Sequence, residues 1–286
     1  MYVVMGATGQ VGGHVTRCLL EGGHRVRAVV RHAEGAERWR SQGVDVAVAD
    51  AQDAEALRLA FQGAEGVFVM NPPAYGSEDM MGLARRVCAS IRDAAMAAQV
   101  GRVVALSSVG AHRTAGTGNI GSNHLLEQAL AGLPCAVGLL RPAWFIENAA
   151  GQLPFARDEG VAPSFLMPLD RAIPQVATAD IGRVAAELLV GVWAGRRIVE
   201  LGGPSDYAPA DMAAAMGEIV GRAVHAVPFP REQWPGLFEQ WGMSASAMQC
   251  WAEMIDGFNS GWISFEGGHE RQHGKVGLVE ALRACA

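Results

Sequence analysis

The sequence predicts a doubly wound α/β domain, a parallel sheet covered by helices on both faces. Short apolar runs alternate with longer amphipathic, alanine-rich segments through the first half of the 286-residue chain. Strands that alternate with helices of about ten residues imply right-handed βαβ units and therefore parallel strands. A chain of this length buries about three quarters of the surface that it exposes when unfolded, so a large core is available.

The predicted elements alternate regularly along the first 140 residues. Strands are predicted at residues 2–5, 25–30, 44–48, 66–70, 102–106 and 135–140. Helices are predicted at residues 10–21, 36–41, 54–61, 79–98 and 122–130. The first helix is expected to end at Gly22 and Gly23, because glycine commonly follows the last helical residue.

The chain changes in character after Arg141 and Pro142, where prolines become frequent and helical periodicity weakens. Further helices are predicted at residues 179–192 and 211–220, further strands at 198–201 and 223–227, and two helical pieces within 228–260. We expect residues 1–150 to form the main domain. Residues 151–286 are expected to form a smaller C-terminal, substrate-side lobe that packs on it and also returns elements to the sheet.

The composition excludes several classes of function. The net charge is −6 and the chain has no basic run, so nucleic acid and anionic membranes are not expected as partners. No apolar stretch approaches the ~18 residues of a membrane span, and no charged leader is visible, so a cytoplasmic protein is expected. The five cysteines are scattered and no histidine has metal-ligand spacing, so we predict neither disulfides nor a metal.

The strongest functional signal is a glycine-rich turn that follows the first strand and opens the first helix. Gly6 allows the tight turn, Gly9 lets the backbone approach a pyrophosphate, and Gly12 permits close packing of helix on strand. The N–H groups at the start of the helix then face the phosphates. This context predicts a Rossmann-like dinucleotide site whose turn residues are Gly6, Thr8, Gly9, Gln10, Val11 and Gly12.

The end of the second strand indicates which dinucleotide is bound. An NAD site places Asp or Glu about 20 residues beyond the turn, where it accepts hydrogen bonds from the ribose 2′-hydroxyl. This chain instead has Arg31 followed by His32. A guanidinium binds a 2′-phosphate through charge-assisted hydrogen bonds, so NADP(H) is expected rather than NAD(H), unless Arg31 is only a solvated surface residue. Asp50 is expected either to cap the following turn or to meet the adenine amino group.

Three further loops are expected to border the nicotinamide end of the cofactor, because ligands bind outside the carboxyl ends of parallel strands. They follow the fourth, fifth and sixth predicted strands. Their candidate residues are Met70, Asn71 and Pro72, Ser107 and Ser108, and Pro142 and Trp144. For the two serines, capping of a helix or loop is an equally open interpretation.

These motifs together resemble the NmrA-like branch of the atypical short-chain dehydrogenases/reductases. The matching segments are residues 6–12, 106–111, 124–130, 140–148, 178–181 and 261–274, together with Arg31. The resemblance spans essentially the whole chain. That branch includes type 2 quinone oxidoreductases and triphenylmethane reductases, which use NADPH. It also includes redox-sensing regulators that bind NADP without turning it over.

The chain departs from the wider superfamily at the usual acid/base pair, Tyr-x-x-x-Lys, in which tyrosine transfers the hydroxyl proton and lysine lowers its pKa. No tyrosine here is followed four residues later by lysine, and the single lysine is Lys275. Counted back from Glu127, the two positions are Asn119 and Asn123. Asn123 and His124 remain as catalytic candidates that could orient an acceptor oxygen or, for His124, protonate it. The alternative is that Asn123 caps the helix and His124 is packed or solvent-facing.

The missing pair indicates the class of substrate. Reduction of a simple ketone gains about 10²–10⁴ in rate from a positioned proton donor. Reduction of a quinone or a cationic dye gives a product that solvent can protonate, so hydride transfer needs mainly proximity and alignment. A lobe rich in Trp and Met suits a flat apolar acceptor, although core packing is the commoner role of any single tryptophan.

We therefore expect an NADPH-dependent reductase that passes hydride to a quinone-like or other conjugated aromatic electrophile, acting as a monomer or a homodimer. Two alternatives remain open. The first is a redox-sensing regulator that binds NADP(H) without turnover, and the second is a biosynthetic enzyme that acts on a polycyclic aromatic.

Overall fold

The structure, a computed structural model, describes all residues from 1 to 286. The strands are β1 (Tyr2–Met5), β2 (Val26–Val30), β3 (Asp45–Val48), β4 (Gly66–Val69), β5 (Arg102–Leu106), β6 (Ala136–Pro142), β7 (Trp144–Phe145), β8 (Val161–Ser164), β9 (Ile173–Val176), β10 (Arg196–Gly202), β11 (Asp206–Tyr207), β12 (His225–Pro228) and β13 (Glu270–His273). The α-helices are α1 (Gln10–Glu21), α2 (Glu37–Arg40), α3 (Ala54–Phe61), α4 (Met80–Ala97), α5 (Gly121–Leu130), α6 (Leu153–Asp158), α7 (Thr178–Val190), α8 (Pro209–Val220), α9 (Trp234–Gln240), α10 (Ala245–Ser260) and α11 (Leu278–Arg283). None of these helices combines the length and the apolar character needed to cross a membrane.

Eight strands form one parallel sheet in the order β3-β2-β1-β4-β5-β6-β10-β13. The order of the first six matches the Rossmann arrangement, and it reverses between β1 and β4. The predicted doubly wound α/β class is therefore confirmed. In such a sheet the reversal opens a crevice at the carboxyl ends of the strands, which is where ligands bind.

The two faces of the sheet are covered by different helices, as the alternation of side chains along each strand requires. In β1, Val4 packs into the cluster formed with α1 and α7, whereas Val3 packs into the cluster formed with α3, α4 and α5. Val15 and Leu57 represent the two helical layers, and both are fully buried. Because both faces of the central strands are covered, these strands are apolar throughout rather than alternating in polarity.

Some element boundaries differ from the predicted ones for local reasons. Helix α4 begins at Met80, because the Asp79 side chain caps it by accepting a hydrogen bond from the amide of Gly82 at 2.8 Å. The predicted helix at residues 36–41 is a 3-10 turn at Ala33–Ala36 that continues into α2. The predicted strand at residues 223–227 is β12, which is shifted by two residues at its start and pairs in parallel with β8.

The elements after residue 150 divide between the sheet and a lobe. Strands β10 and β13 extend the sheet beyond β6, and α7 packs against α1. Helices α6, α8 and α11 enclose a cluster that contains Met212 and Leu282. Helices α9 and α10 contribute to a second cluster around Trp234 and Phe238.

A buried ion-pair network fastens the segment after α10 to the sheet. Arg141 is 3% exposed, and its guanidinium donates from Nε and Nη2 to the two carboxylate oxygens of Glu127, at 2.8 and 2.7 Å. Its Nη1 donates to Oε2 of Glu266 at 2.6 Å. The buried carboxylate of Glu200 accepts hydrogen bonds from the amides of Glu266 and Gly267. Each buried charge of this network therefore has a charged or hydrogen-bonding partner.

The network changes the acidity of its members. Burial alone would lower the pKa of Arg141, but the hydrogen bonds to Glu127 and Glu266 outweigh it and raise that pKa, so the guanidinium stays charged. The hydrogen bond from Arg141 in turn holds the pKa of the Glu266 carboxyl below its ordinary range.

We expect the Glu266–Arg141 pair to make the free energy of unfolding depend on pH. The folded-state pKa of Glu266 lies below its unfolded value of about 4.3, so its stabilising contribution is complete above that value. The contribution is lost as the pH falls through the folded pKa. Urea unfolding measured from about pH 7 to about pH 3 should show wild type and Glu266→Gln converging at acidic pH.

The matched control for this measurement is Glu232→Gln, because Glu232 is exposed and outside the ion-pair network. This variant should follow the wild type at every pH. A gap between wild type and Glu266→Gln that stays constant across the range would contradict the expectation.

Candidate active site

A cleft of about 450 Å³ lies where the strand order reverses between β1 and β4. Its walls come from the glycine turn, from the segments after β4, β5 and β6, and from α5 and α10. The predicted site residues that line it are Gly6, Gly9, Gln10, Val11, Gly12, Met70, Asn71, Pro72, Ser107, Ser108, Asn123 and Trp144. The predicted residues that lie outside its lining are Thr8, Arg31, Asp50, His124 and Pro142.

The glycine turn forms a cradle that side chains would obstruct. Gly6 has a left-handed backbone, with φ of +64°. A Cβ atom at Gly12 would lie 2.9 Å from the carbonyl oxygen of Met5 and closer still to that of Gly6. Gly9 precedes α1, whose first turn has neither a side-chain cap nor an acidic residue. The first N–H groups of the helix are therefore available to an anion, and the cradle fits a pyrophosphate.

Two basic side chains lie exposed at the end of β2, the strand next to β1. Arg31 donates from Nε to Nε2 of His32 at 3.0 Å. Thr8 is exposed in the glycine turn and faces Gly35, where an added Cβ would lie 2.9 Å from the Thr8 methyl carbon. The loop that carries Arg31 therefore lies directly beside the glycine turn, as recognition of a ribose phosphate requires.

A buried tryptophan joins these two loops. Trp39 of α2 is fully buried, and its indole Nε1 donates to the carbonyl oxygen of Ala7 at 3.2 Å. The guanidinium of the neighbouring Arg38 lies 5.1 Å from the centroid of the same ring. Sequence analysis did not identify this residue, because a single buried tryptophan gives no sign of what its N–H group binds.

Asp50 caps the turn that follows β3, which was one of the two roles predicted for it. Its Oδ1 accepts a hydrogen bond from the amide of Gln52 at 2.8 Å, which stabilises the turn after β3. The side chain is exposed and lies outside the lining of the cleft.

The serines after β5 have different surroundings. Ser107 is buried, and its hydroxyl donates to the Glu127 carboxylate of the ion-pair network. Ser108 is partly exposed, and both serines line the cleft. The network therefore reaches the cleft through Ser107. Sequence analysis placed Glu127 only as a family marker, since Glu127 lies on α5 and its partner Arg141 lies on β6.

The structure separates the two catalytic candidates of α5. Asn123 lines the cleft and donates from Nδ2 to the carbonyl oxygen of Leu106 at 3.3 Å. Helix α5 begins two residues earlier and has no side-chain cap, so the alternative role of Asn123 as helix cap was wrong. His124 lies outside the cleft lining, with Nδ1 2.8 Å from the carbonyl oxygen of Ala111. Asn119, at the other position of the missing acid/base pair, also lines the cleft.

The far end of the cleft is an aromatic wall. Pro142 is buried at the end of β6, and Trp144 after it meets Phe258 edge to face, with ring centroids 4.9 Å apart. Trp251 and Tyr75 form a second edge-to-face pair, with centroids 5.9 Å apart. Tyr75 is the one ionisable residue in the lining, and burial raises its pKa, so the wall is uncharged at neutral pH.

Of the aromatic residues of this wall, only Trp144 was predicted as a site residue. Phe258, Trp251 and Tyr75 were not, although the Trp- and Met-rich composition of residues 228–260 gave a signal for the wall. Composition shows that large side chains are abundant, but not which of them face a cavity. No three His, Cys, Asp or Glu side chains of the chain lie close enough together to hold a metal ion.

The parallel sheet, its reversal point and the glycine cradle define the class: this is a Rossmann-like dinucleotide-binding protein. The chain belongs to the NmrA-like family, whose sequence pattern matches residues 2–260. The resemblance predicted from the sequence motifs is thereby confirmed.

Comparison with characterised proteins gives two informative sequence relatives and one solved structure with a similar fold. An NAD(P)H azoreductase of Xenophilus azovorans is 27% identical over 258 residues, which cover 89% of this chain and 86% of the relative. Quinone oxidoreductase 2 of Escherichia coli (strain K12) is 28% identical over 228 residues, covering 78% of this chain and 76% of the relative. The crystal structure of Citrobacter sp. triphenylmethane reductase complexed with NADP(H) superposes with a TM-score of 0.81 at 20% identity, covering 100% and 99% of the two chains.

Proposed function

We propose that this chain is an NADPH-dependent reductase that transfers hydride to a quinone-like or other conjugated aromatic acceptor. The observation that carries the proposal is a single cleft with a glycine turn at one end, whose shape fits a pyrophosphate, and an uncharged aromatic wall at the other. The names of the two sequence relatives, an NAD(P)H azoreductase and a quinone oxidoreductase, support the same class of reaction.

The residues of the coenzyme site favour NADP(H) over NAD(H). The N–H groups at the start of α1 would hold the pyrophosphate, with Gly9 and Gly12 allowing its close approach. Arg31 and His32 stand where NAD-binding chains place a carboxylate, and Thr8 lies beside them. A guanidinium attracts a 2′-phosphate, whereas a carboxylate would repel it.

The chemistry of the cleft suits an acceptor whose reduced form needs no enzymatic acid. When bound, the reduced coenzyme supplies hydride, that is, two electrons and one proton. A quinone that takes this hydride needs one further proton, which solvent can provide, to become the hydroquinone. Asn119 and Asn123 replace the usual proton-transfer pair, and both can hydrogen-bond without titrating. The aromatic rings of Trp144 and Phe258 would align the flat acceptor.

The aromatic half of the cleft also weighs against the alternative of a sensor without turnover. Binding of the coenzyme alone would use the glycine turn and the loop of Arg31. It would not need a further apolar space bounded by Trp251, Met254 and Phe258. We therefore keep the reductase as the proposed function.

Replacement of Arg31 by alanine tests the proposal. Loss of charge-assisted hydrogen bonds to the 2′-phosphate should raise the Kd for NADPH about 10- to 100-fold. The Kd for NADH, which lacks that phosphate, should change little. Calorimetric titration with both coenzymes measures this, and loss of NADPH absorbance with a panel of quinones and azo compounds measures turnover.

The matched control is Arg58→Ala, since Arg58 is a partly exposed arginine that pairs with Glu55 on α3 and lies outside the lining of the cleft. It should leave both dissociation constants unchanged. Equal affinities of the wild type for NADPH and NADH would contradict the role given to Arg31. Tight NADPH binding without oxidation by any acceptor would instead support the sensor.

A further inference from the structure

The aromatic wall of the cleft carries one phenol, that of Tyr75. Tyr75 lies in the segment between β4 and α4, lines the cleft, and packs edge to face against the ring of Trp251. The residue as a whole is 37% exposed, yet burial raises the pKa of its hydroxyl. The hydroxyl is therefore in the less hydrated part of this side chain, on the side of the cleft.

Two hydrogen bonds hold the segment that carries Tyr75 against the start of α10. The Ser244 amide donates to the carbonyl oxygen of Tyr75 at 2.8 Å, and the Ser244 hydroxyl donates to the carbonyl oxygen of Ser77. Because α10 also carries Trp251, the phenol and the wall beside it are fixed relative to each other. A donor held in place in this way needs little reorganisation when charge develops beside it.

The proton of the Tyr75 hydroxyl is available to a ligand. The polar group that faces the phenol is the indole N–H of Trp251, which offsets part of the rise in pKa although it makes no regular hydrogen bond. An indole N–H can only donate, so it leaves the tyrosine proton without an acceptor. The indole nitrogen itself has almost no accessible surface, so a molecule in the cleft cannot reach it.

The other hydrogen-bond donors of the lining are less suited to an oxygen that gains negative charge. Those already used within the protein are the hydroxyls of Ser107 and Ser122 and the side-chain amide of Asn123. The remaining ones are the alcohol of Ser108 and carboxamides such as that of Asn119. Alcohols and carboxamides are much weaker acids than a phenol, and an O–H donor makes the shortest hydrogen bonds to an ionised oxygen.

We propose that Tyr75 is a catalytic residue whose hydroxyl donates a hydrogen bond to a carbonyl oxygen of the acceptor. This inference rests on the proposed reductase function. A quinone that takes hydride becomes the hydroquinone anion, with the negative charge on a ring oxygen. Tyr75 would stabilise that charge while keeping its own proton, and solvent would supply the proton that completes the hydroquinone. The acceptor class is then an aromatic compound with a conjugated carbonyl group.

The first test uses Tyr75→Phe, which keeps the ring and its contact with Trp251. Oxidation of NADPH is followed with naphthoquinone and with a cationic triphenylmethane dye. The dye takes hydride on carbon and becomes neutral, so none of its atoms gains negative charge. Tyr75→Phe should lower kcat about 10- to 100-fold more for naphthoquinone than for the dye, with little change in the KM for naphthoquinone.

The second test needs no turnover. Protein saturated with NADP⁺ is titrated by calorimetry with ionised nitrophenol, which mimics the hydroquinone anion, and with nitrobenzene, which lacks the phenolate oxygen. Loss of a charge-assisted hydrogen bond in Tyr75→Phe should raise the Kd of ionised nitrophenol about 10-fold more than that of nitrobenzene. For a wild type that does not reduce the dye, this pair of dissociation constants decides the question.

Tyr207→Phe is the matched control. Tyr207 is a partly buried tyrosine that packs on the cluster of Met212 and Leu282, and it lies outside the lining of the cleft. This variant should match the wild type in both tests.

The possible results are distinguishable. Equal losses of turnover with naphthoquinone and the dye in Tyr75→Phe would show that the residue only shapes the cleft, and would overturn the inference. An unchanged kcat for naphthoquinone, or an unchanged Kd for ionised nitrophenol, would also overturn it. In these cases quinones are still reduced by the wild type, so the proposed function stands. A wild type that binds NADPH but reduces no acceptor would contradict the proposed function, and this inference would fail with it.

Discussion

The Gly12→Ala variant is expected to lose measurable NADPH binding. The added methyl group would lie 2.9 Å from the carbonyl oxygen of Met5 and closer still to that of Gly6, so backbone atoms of the glycine turn would have to move. A turn displaced in this way cannot present the N–H groups of α1 to a pyrophosphate. We expect a fall in affinity of about 100-fold or more, with a loss of about 1–3 kcal/mol in the free energy of unfolding. Calorimetric titration and urea unfolding measure the two effects.

Gly13→Ala provides the control one position further along the same helix. A Cβ atom at Gly13 would lie 3.4 Å from the nearest atom, the carbonyl oxygen of Ala7, which is an ordinary contact distance. Within a helix, alanine is favoured over glycine by roughly 0.5–1 kcal/mol. Gly13→Ala should therefore bind NADPH and be as stable as the wild type or more so. Comparable loss of binding in both variants would show that the geometry of the turn is not what decides affinity.

The Arg141→Ala variant is expected to show the largest loss of stability. It removes a guanidinium from a pair in which both side chains are about 4–5% exposed, and it leaves the Glu127 carboxylate buried without its partner. Breaking a buried pair from one side costs about 3–5 kcal/mol, mainly because the remaining charge is uncompensated. Urea unfolding followed by circular dichroism measures the loss. Arg141→Lys should recover part of it, because it restores the charge without the paired hydrogen bonds.

The control for this prediction is Arg197→Ala. Arg197 also makes two hydrogen bonds to one carboxylate, that of Glu270, but both side chains are about one-third exposed. Exposed pairs contribute only about 0–1 kcal/mol, so the loss should be small. Losses of similar size in the Arg141 and Arg197 variants would contradict the special role of burial.

The sheet could be predicted because its signals are local. Each strand and each intervening helix shows in the pattern of a few neighbouring residues. The glycine turn identifies residues 2–5 as the first strand of the sheet. The capping role of Asn123 was wrong because the helix boundary depends on the preceding 3-10 turn at Gly118–Ile120, which no local pattern revealed. The pairing of β13 with β10 joins residues about 70 positions apart. The sequence around either strand does not indicate which strand it pairs with.

In the site, too, the features formed by neighbouring residues could be predicted, and those formed by distant residues could not. The glycine turn lines the cleft as expected, because its residues adjoin in sequence. The partnership of Glu127 with Arg141 and Glu266 was not predicted, because three separate segments supply the charges. The aromatic wall could be expected from composition, but only the folded chain shows that Trp251 faces the cavity.

Trp39 has a consequence for the redesign of coenzyme preference. Its indole joins the stretch after β2 to the glycine turn through one hydrogen bond, so the two loops proposed to hold the pyrophosphate and the 2′-phosphate are linked directly. If the loop after β2 is replaced by one from an NAD-binding protein, a tryptophan should be kept at position 39. Without its hydrogen bond to Ala7, we expect the new loop to be less well ordered and the affinity for NADPH and NADH to fall.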